Sequence, residues 1–454
     1  MAIHENQSQP LPVIIVGGGM TGLSAAWELQ QQGVPYVLLE ASGLLGGKVE
    51  TTITDDGFLV EKAADAFIVG KPYAAQLARE VGLEAEAIHP REDTKKLYFL
   101  RGGRLLDFPG HLKMFVPLDD DSFRASGVLS PEGTERFLNE VNIPPKPATD
   151  EDESLASFVI RRFGEEALNF IVPIAAGIYV ANPYELSMQA AFPQFLKMEQ
   201  DYGSLIAGSR ATPRASGPIF MSFRGGMGAL PGAIASKLMG EVHLNTAVLR
   251  VHPDGVTVAG GEKVTGSAVI IAVPAWYAAP VLSQSFPETA QLVGELRANS
   301  SVAVTLAYRQ EDITFDMNMH GLLVDASEGI PLKAMTVHSA KLAGRAPEDH
   351  VLVRCFFVGL EPLDAYHEAV KEVERLLGAK DEPLEHWYGD WRGKNPAYQV
   401  GHLEQLQRIR DSLPDNVKIG GASFTGVGIP DCVNAGRSMA REVATVLAAT
   451  GVPS

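Results

Sequence analysis

Four apolar residues in a row, Val13-Ile14-Ile15-Val16, open the patterned part of the chain. A short run of this kind, rich in β-branched residues, predicts a strand buried on both faces, as in a parallel sheet. Gly17-Gly18-Gly19-Met20-Thr21-Gly22 follows at once, and Leu23, Ala26 and Trp27 then recur at helical spacing until Gly33, a helix stop. A second apolar run, Tyr36-Val37-Leu38-Leu39, closes on Glu40. The order is strand, glycine turn, helix, strand, with an acid about 20 residues past the turn, as in a dinucleotide-binding βαβ unit. The first glycines let backbone N–H groups approach a pyrophosphate, the helix N-terminus adds a positive dipole end, and Gly22 allows close helix–strand packing. Glu40 would accept hydrogen bonds from an adenosine ribose and would repel the 2′-phosphate of NADP.

Past Glu40, Gly46-Gly47-Lys48 reads either as a second backbone approach to the cofactor, with Lys48 near phosphate or flavin, or as a flexible surface loop. Gly57 to Glu61 has the pattern of a strand, Ala74 to Val81 that of a helix, and Gly102-Gly103 joins two apolar runs as a hairpin. Acidic and proline-rich punctuation between Asp119 and Glu153 marks solvated loops, followed by helical patterns over Leu155 to Phe163 and Glu165 to Ile174. Tyr202 to Gly226 holds Arg210, Arg214 and Arg224 and no acid; it reads as a mobile loop, although its local charge would also suit carboxylates. Strand patterns resume at Val242, Ala247 and Ala268, and continue through Val302 to Tyr308, Leu322 to Val324 and Val351 to Val358, which predicts a second sheet. Pro362 to Leu377 is predicted as a helix stopped by Gly378. At the end of the chain, Val417-Lys418-Ile419 and Gly420-Gly421 lead to Gly426-Val427-Gly428-Ile429-Pro430-Asp431. There a helix opens with Val433, Gly436, Ala440, Val443 and Leu447 on one face. This unit either completes the dinucleotide site or is a plain terminal βα unit.

The 454 residues are enough for two or three domains, and 46% hydrophobic with 20% charged residues is an ordinary globular composition. No apolar run approaches the ~18 residues of a membrane-spanning helix. Met1 to Pro10 lacks an apolar signal core. The expectation is a soluble, cytoplasmic protein, with peripheral contact at the inner face of the membrane left open. Cys355 and Cys432 are its only cysteines and lie far apart, which argues against a disulfide framework or a metal site. A net charge of -17 makes nucleic acid a poor partner and requires a local basic patch for any anionic substrate.

Several stretches carry a closer likeness. They include Ser154-Leu155-Ala156-Ser157-Phe158 with Arg161-Arg162-Phe163-Gly164, and Ile171-Val172-Pro173-Ile174-Ala175-Ala176-Gly177-Ile178-Tyr179. Leu186-Ser187-Met188, Phe192-Pro193-Gln194-Phe195, Pro396-Ala397-Tyr398-Gln399-Val400-Gly401-His402 and Gly426 to Cys432 complete the set. With Gly17 to Gly22, Glu40-Ala41 and Gly46-Gly47-Lys48, they make the chain resemble the flavin-dependent porphyrinogen oxidases of the monoamine oxidase superfamily. Among these it is most similar to the soluble bacterial coproporphyrinogen III oxidases.

The resemblance implies an α/β chain (α+β overall) with a Rossmann-like FAD-binding domain assembled from 1–75, 206–285 and 386–454. A mixed-sheet substrate domain would comprise 76–118 and 286–385, with a helical insertion over 119–205. It implies non-covalent FAD, since Ser423-Phe424 occupies the turn where an amine oxidase often carries a cysteine. Position by position, Gly17, Gly18, Gly19, Met20, Thr21 and Gly22 would hold the pyrophosphate, with Glu40 and Ala41 at the ribose. Gly47 and Lys48 match the basic glycine turn, and Val248 the backbone at the adenine. Ala64, Asp65, Trp391, Val427, Gly428 and Ile429 match positions near the flavin. Ile178 would face the flavin across the substrate cleft, with Lys71 near it; Arg210 and Arg214 are further cations for substrate propionates.

Two departures stand out: Ala63-Ala64-Asp65-Ala66 replaces the family's Gly-Pro-Asp-Ser, and Phe357 stands at a tyrosine position. The implied reaction takes six electrons from coproporphyrinogen III in three flavin cycles, with O2 as acceptor and peroxide as co-product, in haem biosynthesis upstream of a ferrochelatase. Protoporphyrinogen IX is the alternative substrate; an amine oxidase, a carotenoid desaturase or a non-catalytic porphyrin or flavin carrier is more distant. No acid–base residue is assigned, because His89, His111, His243 and His338 are isolated in the sequence and read as structural or solvated.

Overall fold

The computed structural model describes residues 10–147, 151–213 and 217–449. The N-terminal unit forms as its spacing predicts: β1 (Val13–Val16), α1 (Met20–Gln31) and β2 (Tyr36–Leu39), with Val13 opposite Tyr36 and Val16 opposite Leu39 in parallel register. These strands are the middle of a five-stranded parallel sheet in the order Glu241–His243, β2, β1, Ala268–Ile271, Val417–Ile419. Three distant stretches of chain therefore build one sheet. Alternate residues of β1 serve two cores: Val13 and Ile15 face α1 and the C-terminal helix (Ile429–Ala449). Ile14 and Val16 face an antiparallel layer (Val248–His252, Gly255–Val258, Lys263–Thr265) and the helices Ala275–Leu282 and Pro287–Gly294. Burial on both faces is why these strands carry no polar alternation.

The second sheet has seven strands, in the order Glu385–Asp390, Val302–Arg309, His350–Phe357, Leu332–Val337, Gly321–Val324, Leu97–Arg101, Arg104–Asp107. All pairs are antiparallel except Gly321–Val324 with Leu97–Arg101. Helix Pro362–Leu377 buries Ala365, Ala369, Val373 and Leu377 against it and ends at Gly378 (φ +66), as the proline and glycine positions predict.

A helical module packs around buried phenylalanines, among them Phe115, Phe137, Phe163 and Phe170. Inside it Arg162, fully buried, is ion-paired to Glu140 and donates to the carbonyl of Ile143 at 2.8 Å. Glu140 in turn accepts from the N–H groups of Leu205 (3.0 Å) and Ile206 (3.2 Å).

That contact corrects one expectation. The stretch Tyr202 to Gly226 is not a plain loop but holds helix Leu205–Ala211 and strand Phe220–Phe223. Glu140 and the Ser204 hydroxyl satisfy the helix's first N–H groups, while Phe220–Phe223 pairs with Phe67–Ile68 and Ala87–Ile88. Ser204 is a local cap, but Glu140 and the pairing strands are remote in sequence, so local composition does not reveal them. Arg214 lies outside the described residues.

α1 and the C-terminal helix pack so closely that a Cβ on Gly436 would lie 2.1 Å from the carbonyl oxygen of Thr21. Gly436→Ala is expected to destabilise the fold by about 1–3 kcal/mol through overpacking, read as a lower thermal midpoint. An unchanged midpoint would show that the helices are not in this contact.

Candidate cofactor and substrate site

The nucleotide end is built from glycines that admit no side chain. Gly17 (φ +102) donates its N–H to the carbonyl of Leu39 at 2.8 Å, and a Cβ on Gly22 would sit 1.8 Å from the Gly17 oxygen. Gly19 caps α1 without a side-chain hydrogen bond, and no acid stands in the first turn, where Met20 and Thr21 are buried. The helix N-terminus thus keeps its N–H groups and dipole for an anion. Each Glu40 carboxylate oxygen accepts one backbone N–H, from Gly18 at 2.7 Å and Ser42 at 2.8 Å, and retains lone pairs for ribose hydroxyls. Ala41 beside it is exposed.

The glycines before Lys48 are packed against this turn rather than loose. Gly46 donates to the Gly18 carbonyl at 2.8 Å, and a Cβ on Gly47 (φ +61) would lie 3.2 Å from Gly19 Cα. Val248 begins its strand next to the Glu40 end, since Thr246 donates to the Glu40 carbonyl at 2.8 Å.

From Gly47 the contacts run outward. Lys48 Nζ lies 4.8 Å from the centroid of the Trp391 ring, 3.2 Å from Asn395 Oδ1, and bonds the Lys394 carbonyl. Trp391 Nε1 donates to the Lys62 carbonyl at 2.9 Å. The Ala63-Ala64-Asp65 segment is tied to the second sheet: Arg354 donates to the carbonyls of Lys62 (2.9 Å) and Ala63 (2.5 Å). Asp65 meets Lys341 at 2.7 Å and His338 Nε2 at 3.0 Å. Burial alone would raise the Asp65 pKa, but Lys341 and His338 outweigh it and hold the carboxyl well below the usual range. His338 is thus not the isolated residue the sequence suggests; it is fully buried, and burial lowers its pKa.

The C-terminal turn closes the same region. Gly426 (φ +145) is crowded by Asp431, Val427 borders the helical module's core, and Ile429 belongs to the core around α1, with Gly428 between them accepting from the Cys432 N–H at 3.0 Å. Lys71, half-exposed, is ion-paired to Asp431 at 2.7 and 2.9 Å. Ile178 is 49% exposed, and its neighbour Tyr179 is buried with its ring 5.5 Å from Tyr398. The Tyr179 hydroxyl pKa is raised by burial and then by the Asp431 charge. Arg210 is taken up by an ion pair with Asp120 inside the helical module. Sequence reasoning overlooked Asp431 as the partner of Lys71, and it overlooked Arg354, whose signal was a lone charge inside the apolar run Val351 to Phe357.

An uncapped helix N-terminus behind a glycine turn, a ribose acid, and a second sheet tied to the outer end define a dinucleotide-binding oxidoreductase-type fold. The family model for flavin containing amine oxidoreductases matches residues 20–444, and the chain belongs to that family. A relative from Propionibacterium freudenreichii subsp. freudenreichii, named coproporphyrinogen III oxidase, is 31% identical, covering 96% of this chain and 92% of that one. Another of that name from Bacillus subtilis (strain 168) is 29% identical over 96% and 98%. A solved structure from Exiguobacterium sp. 255-15, named provisionally as a protoporphyrinogen oxidase, matches with TM-score 0.84 and 26% identity over 96% of this chain and 99% of that one. The site accordingly takes a flavin. Among the described residues, no helix is long and apolar enough to cross a membrane.

Burial, and then Lys394, push the Lys48 pKa down to about 8 in the cofactor-free protein, with the Cys432 side opposing. A pyrophosphate at the glycine turn would favour the ammonium form and raise that pKa, so binding above pH ~8 takes up a proton. Cofactor affinity is therefore expected to be flat with respect to this group below pH ~8 and to fall by up to about tenfold per pH unit above it. Lys48→Met should remove that slope; titrations by flavin fluorescence that keep the slope in the variant would assign it elsewhere.

Proposed function

We propose that the protein is an FAD-dependent coproporphyrinogen III oxidase of haem biosynthesis, forming coproporphyrin III with O2 as acceptor and hydrogen peroxide as co-product. The observation that carries this reading is near full-length relationship to three bacterial proteins named coproporphyrinogen III oxidase, at 31%, 29% and 27% identity. Bound FAD supplies a two-electron acceptor, so a six-electron oxidation takes three rounds.

The chain's own part is binding, orientation and exclusion. The Gly17 to Gly22 turn and Glu40 hold the dinucleotide, and Trp391, Ala64, Asp65 and Val427 to Ile429 surround the ring end. FAD is held without a covalent bond in this reading. Cys355 is buried in the second sheet, the Cys432 thiol is pushed up to about 11, chiefly by burial, and Ser423 Oγ accepts the Ala275 N–H at 3.1 Å. Ile178 presents an apolar surface to the macrocycle, and Lys71 offers a cation to a propionate that competes with Asp431. Arg210, on the helical side, is a further candidate for a propionate, and Arg214 is a candidate by its sequence position alone. The protein would work in the cytoplasm, with at most peripheral contact at the inner membrane face, and pass its product to a ferrochelatase.

A second reading is favoured by relatives named protoporphyrinogen oxidase, among them one from Spinacia oleracea at 26% identity over 96% of this chain. An aerobic fluorescence assay with both porphyrinogens, corrected for spontaneous oxidation, separates the two. Faster turnover of coproporphyrinogen III with peroxide release is expected, and preference for protoporphyrinogen IX would replace the substrate. Lys71→Ala is expected to raise KM for coproporphyrinogen III roughly tenfold, the size of one charge-assisted hydrogen bond, with kcat little changed. An unchanged KM would remove Lys71 from substrate binding.

A further inference from the structure

Arg354 occupies the middle of strand His350–Phe357, is 3% exposed, and has no carboxylate paired with it among the described residues. Its Nε has no hydrogen-bond partner, and its ring neighbour is Phe356 at 5.0 Å. A buried, unpaired guanidinium is costly, and it persists where something other than local packing uses it. Its Nη1 and Nη2 donate to carbonyls of one turn, Ala63 and Lys62.

That turn is gripped from a second side. The Lys62 carbonyl also accepts Trp391 Nε1, and a Cβ on Gly389 would lie 2.4 Å from the same oxygen. No proline stiffens it, since Ala63-Ala64 stands there. The guanidinium fork supplies the rigidity that the sequence of the turn lacks.

The charges around the turn do not balance. Arg345, Lys341 and Arg354 face Glu61 and Asp65, which leaves one positive charge in excess. Asp65 is already engaged by Lys341 and His338, and Glu61 by the Thr51 hydroxyl (2.7 Å) and the Met227 N–H (2.8 Å). Arg345 faces Glu61 at 4.0 Å and also donates to Ser222 Oγ (2.9 Å) and the Phe223 carbonyl (3.0 Å). The unanswered charge belongs to Arg354.

We infer that Arg354 is a positioning residue of the cofactor site: its fork fixes the Lys62–Asp65 turn, and its uncompensated buried charge favours the electron-rich reduced form of a flavin lying against that turn. This rests on the reading that FAD binds with its ring beside Ala64, Asp65 and Trp391.

The test uses the FAD-loaded protein and reads the midpoint potential by equilibrium dye titration and the FAD dissociation constant by fluorescence. Arg354→Gln keeps a donor and removes the charge, so its midpoint potential should move to more negative values. Arg354→Lys keeps the charge and loses the fork, so its potential should stay near wild type while FAD affinity falls about tenfold, the loss of one good hydrogen bond. A purely structural tie between sheet and turn would lower stability in both variants and leave the potential of each unchanged. Arg354→Gln at the wild-type potential overturns the inference. Should that variant not fold, Arg354→Lys with wild-type FAD affinity overturns it instead. Wild-type protein that binds no FAD would sink the cofactor reading itself, a separate outcome.

Discussion

The structure depends on how closely α1 can approach its neighbours. At Gly22 the helix lies against the Gly17 carbonyl, and at Gly436 the C-terminal helix lies against the Thr21 carbonyl, both at distances that exclude any Cβ. These two contacts hold the α1 N-terminus at the carboxyl end of the central strand of the parallel sheet and bring the last helix of the chain beside the first. Because the helix start carries neither a side-chain cap nor an acid, its positive end stays open to a pyrophosphate. A side chain at Gly22 would push α1 off the glycine turn, and one at Gly436 would separate the two helices and, with them, the Gly426 to Ile429 turn from the nucleotide end.

Around that contact the site lies where separate cores meet. Val427 borders the helical core, Ile429 the core beside α1, and the Glu61 to Asp65 turn is held by charged residues of the second sheet. In a chain of net charge -17, several cations at this junction are engaged by other groups of the protein: Lys48 by carbonyls and an indole, Lys71 by Asp431, Lys341 by Asp65. Any anion drawn to Lys71 would have to compete with Asp431.

Local signals were strong where the elements are short range. The βαβ unit, the Gly102-Gly103 hairpin, helix Pro362–Leu377 and the C-terminal helix follow from apolar period and from proline and glycine positions, and the structure has them. Helix Leu205–Ala211 and strand Phe220–Phe223 were missed because their supports, Glu140 and the strands at Phe67 and Ala87, lie far away in sequence. His338 read as isolated because its partner Asp65 is brought to it only by the packing of the second sheet on the cofactor-side turn.

The sequence by itself determined the dinucleotide cradle, since a glycine turn, a helix start and a terminal acid act through the backbone of one continuous stretch. It also determined, by likeness of motif, the family to which the chain belongs. Tertiary structure alone decided which charges meet: Lys71 with Asp431, Lys48 with Trp391, Arg354 with the carbonyls of Lys62 and Ala63. Charge pairing depends on distances of a few ångströms between residues that are hundreds of positions apart, and no periodicity along a chain encodes such distances.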